Sequence, residues 1–225
     1  MLKNLFQFFI FVFVFFGAVL SSYAESVPVP VQVAFIRNHN LWIKINGKEK
    51  QVTKGEHIAN PKWFQWAPSK NILAYIEGEG RFIVENKHLK LKDLPAFKQT
   101  TFTPRGYVDW DFTWNDNTLI TISRAKEAKW SNDPKQRPKP SLYQINVANA
   151  QQLQITTPSK GYGDYYPYYI TRKNQILWIR SNGEQADMWI ANADGSQARK
   201  WIHNIDEAAN YYEKRDWENV VSVKE

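Results

Sequence analysis

Two closely spaced pairs of carboxylates are the residues of this sequence best suited to acid–base chemistry. Asp109 and Asp111 lie in an aromatic stretch, and Glu77 and Glu79 alternate with glycines in a pattern typical of a turn. A glycosidase needs two carboxyl groups about 5–10 Å apart across a cleft. Because side chains alternate along a strand, Asp109 and Asp111 are predicted to share one face, where they line the solvent side or hydrogen-bond a neighbouring sheet. They form a weak alternative site for catalysis or cation binding.

Other signatures of catalysis are missing from the sequence. It has no cysteine and no Gly-x-Ser-x-Gly nucleophile elbow. The histidines do not show metal-ligand spacing, so we assign them to surfaces and turns. We therefore predict no catalytic residue, no cofactor and no metal site. The histidines are His39, His57, His88 and His203.

Partner binding is the function that the remaining polar and aromatic residues favour. The formal net charge is +7, and segment 126–140 combines lysines and arginines with prolines. This composition cannot form a packed core and predicts an exposed loop, which either binds an anionic partner or is a solvated face. The tyrosines of 165–169 either contact a partner or pack between sheets. The candidate partner-binding residues are Tyr165, Tyr166, Tyr168, Lys126, Lys129, Lys135, Arg137 and Lys139.

The stretch 164–202 shows which elements must position these residues. An aromatic run is followed by two hydrophobic runs and a shorter third, and the last three are separated by Asn-Gly and Asp-Gly turns. Those residues tolerate the positive φ of a tight hairpin turn. The stretch therefore predicts an antiparallel meander of four strands.

The same order of strands recurs along the chain, at intervals of roughly forty-five to fifty-five residues. A meander of this kind exposes two apolar faces and buries them by stacking on its neighbours. Second strands are predicted at 33–36, 71–76, 117–122, 176–179 and, more weakly, 219–223; third strands at 41–46, 142–146 and 187–191; and fourth strands at 49–53, 152–156 and 198–202.

Two segments of this repeat resemble a known family. Residues 66–75, Trp-Ala-Pro-Ser-Lys-Asn-Ile-Leu-Ala-Tyr, look like the Trp-Ser-Pro-Asp-Gly-Lys-x-Ile-Ala-Tyr signature of TolB-type repeats, also called WD40-like or PD40 repeats. Residues 188–196 are similar to that family's Ile-Tyr-Val-Met-Asn-Ala-Asp-Gly-Ser turn. The resemblance covers most of the chain from about Val31 onward. It implies a β-propeller, a periplasmic setting and contacts with other proteins.

We therefore expect an all-β protein, a small propeller of about four four-stranded antiparallel blades. The first blade is predicted to lack its first strand, because residues 33–53 match only second, third and fourth strands. A segment around 210–212 could supply the missing strand and close the ring, which would remove an exposed edge. An open arc and an arc completed by another copy are the alternatives. Residues 81–85 and 88–92 are short strand candidates, 93–106 is predicted to be a polar loop, and 206–209 could form one helical turn.

Residues 1–24 have the pattern of a signal peptide, with a basic start, an apolar stretch and small residues before the cleavage position. The mature domain is then 25–225, periplasmic or secreted, with membrane contact only through the segment before cleavage; an uncleaved membrane anchor is the alternative. We expect a non-enzymatic module that binds a protein of the cell envelope, and not nucleic acid. A hydrolase or lyase acting on saccharide or peptide in the channel, and a structural subunit assembling through an open blade edge, are the alternatives.

Overall fold

The computed structural model describes residues 32–38, 40–54, 64–77, 88–93, 98–129, 131, 136–205 and 220–224. These residues form fifteen β-strands and one short 3-10 helix, arranged in four antiparallel sheets that follow one another along the chain. We call the sheets blades 1 to 4. The signal peptide predicted at 1–24, the first-strand segment at 210–212, the candidate strand at 81–85 and the helical turn at 206–209 lie outside the described residues.

Blade 1 has three strands among the described residues, and the other blades have four each. The three described strands of blade 1 match the predicted second, third and fourth strands. Blade 1 contains β1 (Val33–Arg37), β2 (Asn40–Ile45) and β3 (Lys48–Gln51), and blade 2 contains β4 (Phe64–Trp66), β5 (Ile72–Glu77), β6 (His88–Asp93) and β7 (Lys98–Thr101). Blade 3 contains β8 (Tyr107–Trp114), β9 (Leu119–Lys126), β10 (Ser141–Asn146) and β11 (Gln152–Gln154), and blade 4 contains β12 (Gly163–Ile170), β13 (Gln175–Ser181), β14 (Ala186–Asn192) and β15 (Arg199–Ile205), with the 3-10 helix at Thr171–Lys173.

Two strand predictions were wrong. The polar loop predicted at 93–106 contains β7, whose residues Lys98–Thr101 are all exposed. No apolar residue marks this strand, because it is the outer edge of its sheet and packs no face against a neighbour. The weak second strand predicted at 219–223 is not a strand within the described residues 220–224. Val221 and Val223 instead pack against blade 4.

The blades pack face to face in chain order. We call the face toward the preceding blade the leading face and the opposite one the trailing face. The trailing face of blade 1 packs on the leading face of blade 2, with Leu41 against Tyr75 in one cluster. Ile76 and Ile122 share the cluster between blades 2 and 3. Leu142 and Trp178 share the cluster between blades 3 and 4. Blades 2 and 3 therefore bury both of their apolar faces on their neighbours, as the repeat predicted.

A leucine–threonine hydrogen bond repeats in blades 1 to 3. The N–H of the buried Leu41, at the start of the third strand, donates to Thr53 Oγ1 at 2.9 Å. The corresponding bonds are Leu89 N–H to Thr103 Oγ1 at 2.7 Å and Leu142 N–H to Thr156 Oγ1 at 2.8 Å. Each threonine accepts from a buried backbone N–H group, and a buried donor left without an acceptor costs about 1–3 kcal/mol. The repeated bond also shows which residues of the three blades are structurally equivalent.

The ionisation of Tyr75 makes the stability of this packing depend on alkaline pH. Its side chain is fully buried between blades 1 and 2, and its hydroxyl donates to Gln99 Oε1 at 2.8 Å. Burial raises the pKa of Tyr75 to about 12. Because the folded-state pKa is raised, the neutral phenol is stabilising below the unfolded-state pKa, about 10, and this stability is lost as pH rises toward 12.

We expect Tyr75→Phe to reduce the loss of stability between pH 9 and pH 12 by about 2–3 kcal/mol, the equivalent of the pKa difference. Urea unfolding at a series of pH values measures it. Tyr162→Phe, at a partly exposed position on a turn, is the control. An alkaline slope identical in wild type and Tyr75→Phe would contradict the assignment.

Candidate functional site

Asp109 and Asp111, the candidate polar pair, do not share a face. A β-bulge interrupts the pairing of β8 with β9 between Asp109 and Phe112, so that strict alternation fails there. Asp109 Oδ2 accepts from the backbone N–H of Leu89 in blade 2. Asp111 Oδ2 accepts from the backbone N–H of Tyr166 in blade 4 at 3.4 Å. The prediction of a common face was therefore wrong, whereas hydrogen bonding to neighbouring blades is confirmed.

Asp109 belongs to a buried ion pair with Arg124. The Nε and Nη2 atoms of Arg124 donate to the two carboxylate oxygens at 2.6 Å and 2.8 Å. Both side chains are almost completely buried. Thr103 donates its hydroxyl to Asp109 Oδ2 at 2.5 Å, and the remaining guanidinium N–H groups reach Gln152 Oε1 and the Phe102 carbonyl. A bidentate pair with satisfied donors and acceptors ties blade 3 to blade 2.

The same pair occurs in blade 4, between Asp164 and Arg180. Nε and Nη2 of Arg180 donate to the Asp164 oxygens at 2.7 Å and 2.9 Å, and Trp178 Nε1 donates to Asp164 Oδ1 at 3.0 Å. Asp164 opposes Arg180 in register, as Asp109 opposes Arg124. Sequence reasoning missed these arginines. The available signal was an Asp in the first strand followed 15 or 16 residues later by an Arg in the second.

An aromatic ring lies beside the arginine in both blades. The Arg180 guanidinium carbon is 4.2 Å from the centre of the Trp189 ring, and that of Arg124 is 5.9 Å from the centre of the Tyr143 ring. Cation–π contacts of this kind contribute about 0.5–2 kcal/mol. In blade 2, Glu77 and Lys90 form an ion pair instead. Glu77 therefore has a structural partner, and Glu79 lies outside the described residues.

The basic candidates lie around the connection between β9 and β10. Lys126 is the last residue of β9 and is exposed, as is Lys129; Lys135 lies outside the described residues. Arg137 is partly buried and donates through Nε to the Ser131 carbonyl at 3.2 Å. Lys139 donates through Nζ to the Asn182 carbonyl of blade 4 at 3.2 Å. The segment is thus a basic loop that is held to blade 4.

The two ends of this segment correct the prediction of a wholly exposed loop. Lys126 continues β9, and Pro140 is buried and accepts a hydrogen bond from the Asp164 N–H at 2.8 Å. Composition alone does not show these contacts, because the prolines and lysines that predict exposure also occur where a chain re-enters a sheet. The loop available to a partner is therefore shorter than 126–140.

The candidate tyrosines lie on β12 in blade 4. Tyr165 is 7% exposed and belongs to the cluster on the trailing face, which favours the packing alternative for this residue. Tyr166 and Tyr168 are partly buried against the same cluster. Burial, together with the charge of Asp111 and the neighbouring Tyr168, raises the pKa of the Tyr166 hydroxyl. Partner contacts through Tyr166 and Tyr168 remain a prediction.

A groove of about 500 Å³ lies between the outer strands of blades 2 and 3. It contains none of the candidate site residues, and its lining has no titratable side chain. Among the described residues, moreover, no group of three or more His, Cys, Asp or Glu side chains is placed to hold a metal ion. The groove is lined by Thr100, Thr101, Phe102, Thr103, Pro104, Val147, Ala148, Asn149, Ala150 and Gln152.

Comparison with known proteins gives a fold but not a family. No family model matches this chain, and no curated protein matches it in sequence. Solved β-propellers superpose on it. A protein assigned as TolB from Agrobacterium tumefaciens has a TM-score of 0.52 at 11% identity, over 73% of this chain and 58% of that chain. This chain is a β-propeller.

Two oligogalacturonate lyases are also among the similar propellers. The lyase from Vibrio parahaemolyticus has a TM-score of 0.58 at 13% identity, over 75% of this chain and 48% of that chain. A lyase in complex with manganese has a TM-score of 0.56 at 16% identity, over 75% of this chain and 47% of that chain. This propeller thus spans about half the length of the lyases. Identities this low establish the fold alone.

Proposed function

We propose that this β-propeller is an exported, non-enzymatic module that binds a protein of the cell envelope. The observation that carries the proposal is the bonding of Asp109. The strongest candidate for a polar reaction site is buried, paired with Arg124 and saturated with hydrogen bonds. A carboxylate in that state fixes two blades together and does not transfer protons to a substrate.

The chemistry of one end of the propeller suits an acidic partner. The connections between second and third strands meet at this end, where Lys126, Lys129 and Arg37 are exposed. Lys139 holds the basic loop against blade 4, which reduces the conformational entropy that binding must overcome. Like charges on one surface attract an oppositely charged protein and accelerate its association.

Export is supported by the targeting pattern of 1–24 and by the structural likeness to TolB. Within the part of the chain that the structure describes, no helix has the length and apolarity to cross a bilayer. A reporter enzyme that is active only outside the cytoplasm, fused after residue 30, tests this part of the proposal. Activity of the fusion supports export, and retention of the fusion in the cytoplasm would contradict it.

Charge reversal of the basic loop tests the binding surface. We expect Lys126→Glu/Lys129→Glu/Arg137→Glu to reduce capture of the partner from a periplasmic extract by at least about tenfold, since each exposed charge contributes up to roughly 1 kcal/mol. Wild-type capture should also weaken between about 50 mM and 500 mM salt, because salt screens surface charges.

The matched control reverses three exposed basic residues on turns between first and second strands. Lys70→Glu/Arg172→Glu/Lys173→Glu changes the net charge equally but lies at the opposite end of the blades. This control should retain at least half of the wild-type capture. Equal loss in both variants would show that net charge, and not the basic loop, determines binding.

The likeness to oligogalacturonate lyases names the activity against which the proposal should be tested. We expect no depolymerisation of oligogalacturonate by the purified protein, with or without added Mn²⁺. Turnover that survives purification and is abolished by Asp109→Asn in a folded protein would favour the enzyme alternative and overturn the binding proposal.

A further inference from the structure

In blade 1, one edge of β1 has no neighbouring strand among the described residues. In blades 2 to 4, the second strand pairs with an antiparallel first strand on one side and with the third strand on the other. β1 holds the position of a second strand, yet its described partner is β2 alone. Backbone N–H and C=O groups along such an edge can pair with another extended chain.

Arg37, at the end of β1, occupies the position of Arg124. Ile36 opposes Leu41 in blade 1, and Ser123 opposes Leu142 in blade 3, where both leucines make the repeated threonine bond. Arg37 follows Ile36 as Arg124 follows Ser123. It also has the same aromatic neighbour, because its guanidinium carbon is 5.3 Å from the centre of the Trp42 ring.

Arg37 differs from its counterparts in what surrounds it. The Arg124 and Arg180 side chains are 1% and 12% exposed, and an Asp from a first strand binds each of them. The Arg37 side chain is 46% exposed, and its partner is Glu49, itself 35% exposed, at 2.7 Å. An exposed pair of this kind is weak and can be replaced by a better-placed carboxylate.

We propose that the edge of β1 binds an extended segment of a partner protein, which pairs antiparallel to β1 and places a carboxylate opposite Arg37. The proposal rests on the proposed function and specifies the chemistry of that partner. In blade 3, Phe112 and Trp114 follow Asp109 on the same face and oppose Ile122 and Ile120. The corresponding partner residues would oppose Phe35 and Val33, which requires apolar side chains there.

We favour a partner strand over a C-terminal strand of this chain as the occupant of this edge. The described C-terminal residues Val221 and Val223 pack on the trailing face of blade 4, in a cluster that contains no residue of blade 1. Arg37 and Lys44 share the single carboxylate of Glu49 on this face, and the excess of positive charge favours an acidic segment. A C-terminal strand of this chain and a second copy are the competing occupants, and the experiment distinguishes them.

The probe is a fluorescein-labelled peptide with the sequence of β8, Tyr-Val-Asp-Trp-Asp-Phe-Thr-Trp, titrated with the mature protein and followed by fluorescence anisotropy. We expect saturable binding. Asn in place of the first Asp of the peptide should weaken binding by about ten- to hundredfold, the range for one charge-assisted hydrogen-bonded pair. Arg37→Ala should weaken it equally, whereas Lys48→Ala, at an exposed position of β3, should change it less than threefold.

Exchange of the charges gives the sharpest control. Arg37→Asp should no longer bind the β8 peptide, and it should bind a peptide that carries Arg in place of the first Asp. Absence of saturable binding to wild type, or equal binding by Arg37→Ala, would overturn the inference, as would an Arg37-dependent dimer in sedimentation velocity. If Arg37→Ala still captures the envelope partner while the peptide fails to bind, this inference falls and the proposed function stands.

Discussion

Asp109→Ala is expected to lower the free energy of unfolding by about 3–5 kcal/mol, the usual cost of removing one partner of a buried ion pair. The change leaves the Arg124 guanidinium, 1% exposed, without its carboxylate and leaves the Leu89 N–H without one acceptor. Equilibrium urea unfolding followed by tryptophan fluorescence measures the effect. In a domain of this size, the midpoint of thermal unfolding should fall by roughly 10 °C.

The controls separate the buried charge from the loss of a side chain. Asp194→Ala, at an exposed turn, should change stability by less than about 0.5 kcal/mol. Asp109→Leu/Arg124→Met removes both charges and should recover more than half of the loss, because apolar side chains can replace a buried pair. If Asp109→Ala proves as stable as wild type, Asp109 does not fasten blade 3 to blade 2, and its availability for chemistry must be reconsidered.

Trp178→Ala is expected to destabilise the protein by about 3–5 kcal/mol through the cavity it creates. Trp178 is 1% exposed between blades 3 and 4, stacks on Trp189 with ring centres 6.1 Å apart, and donates to Asp164. Chemical unfolding measures the loss of stability. It is followed by far-ultraviolet circular dichroism, because the substitution removes one of the tryptophans that would report unfolding by fluorescence.

Trp178→Phe separates the two contributions of this side chain. It keeps most of the ring contact with Trp189 and removes the hydrogen bond to Asp164, so that the loss should fall to about 1–2 kcal/mol. Trp201→Ala, at a position 51% exposed, should change stability by less than about 0.5 kcal/mol. Equal losses at Trp178 and Trp201 would contradict the packing of blade 4 on blade 3.

The sequence predicts the fold well because each blade repeats a period-two pattern between turn residues. The predicted strands 142–146 and 187–191 correspond to β10 and β14. Their apolar positions are buried, because each of these strands lies between two neighbouring strands of its blade. β7 escaped prediction for the opposite reason. An outer strand is held by backbone hydrogen bonds to a single neighbour, and its side chains need no apolar pattern.

The candidate site was harder to predict because it depends on register. A single bulge in β8 turns Asp109 toward blade 2 and Asp111 toward blade 4. The partnership of Asp109 with Arg124 depends on which residues oppose each other across two strands. The spacing of aspartate and arginine carries this information only when two blades are compared.

The face-to-face order of the blades is the claim on which the site, the proposed surface and the role of Arg37 all depend. Because the sequence has no cysteine, an engineered cysteine pair can measure this order directly. We choose Ser69→Cys/Asn117→Cys, on turns of blades 2 and 3, because the Ser69 N–H donates to Asn117 Oδ1 at 2.8 Å. Mild oxidation should give an almost complete intramolecular disulfide, while Ser69→Cys/Ser196→Cys, on blades 2 and 4, stays reduced. Free thiols in the first pair, or a disulfide in the second, would contradict the arrangement.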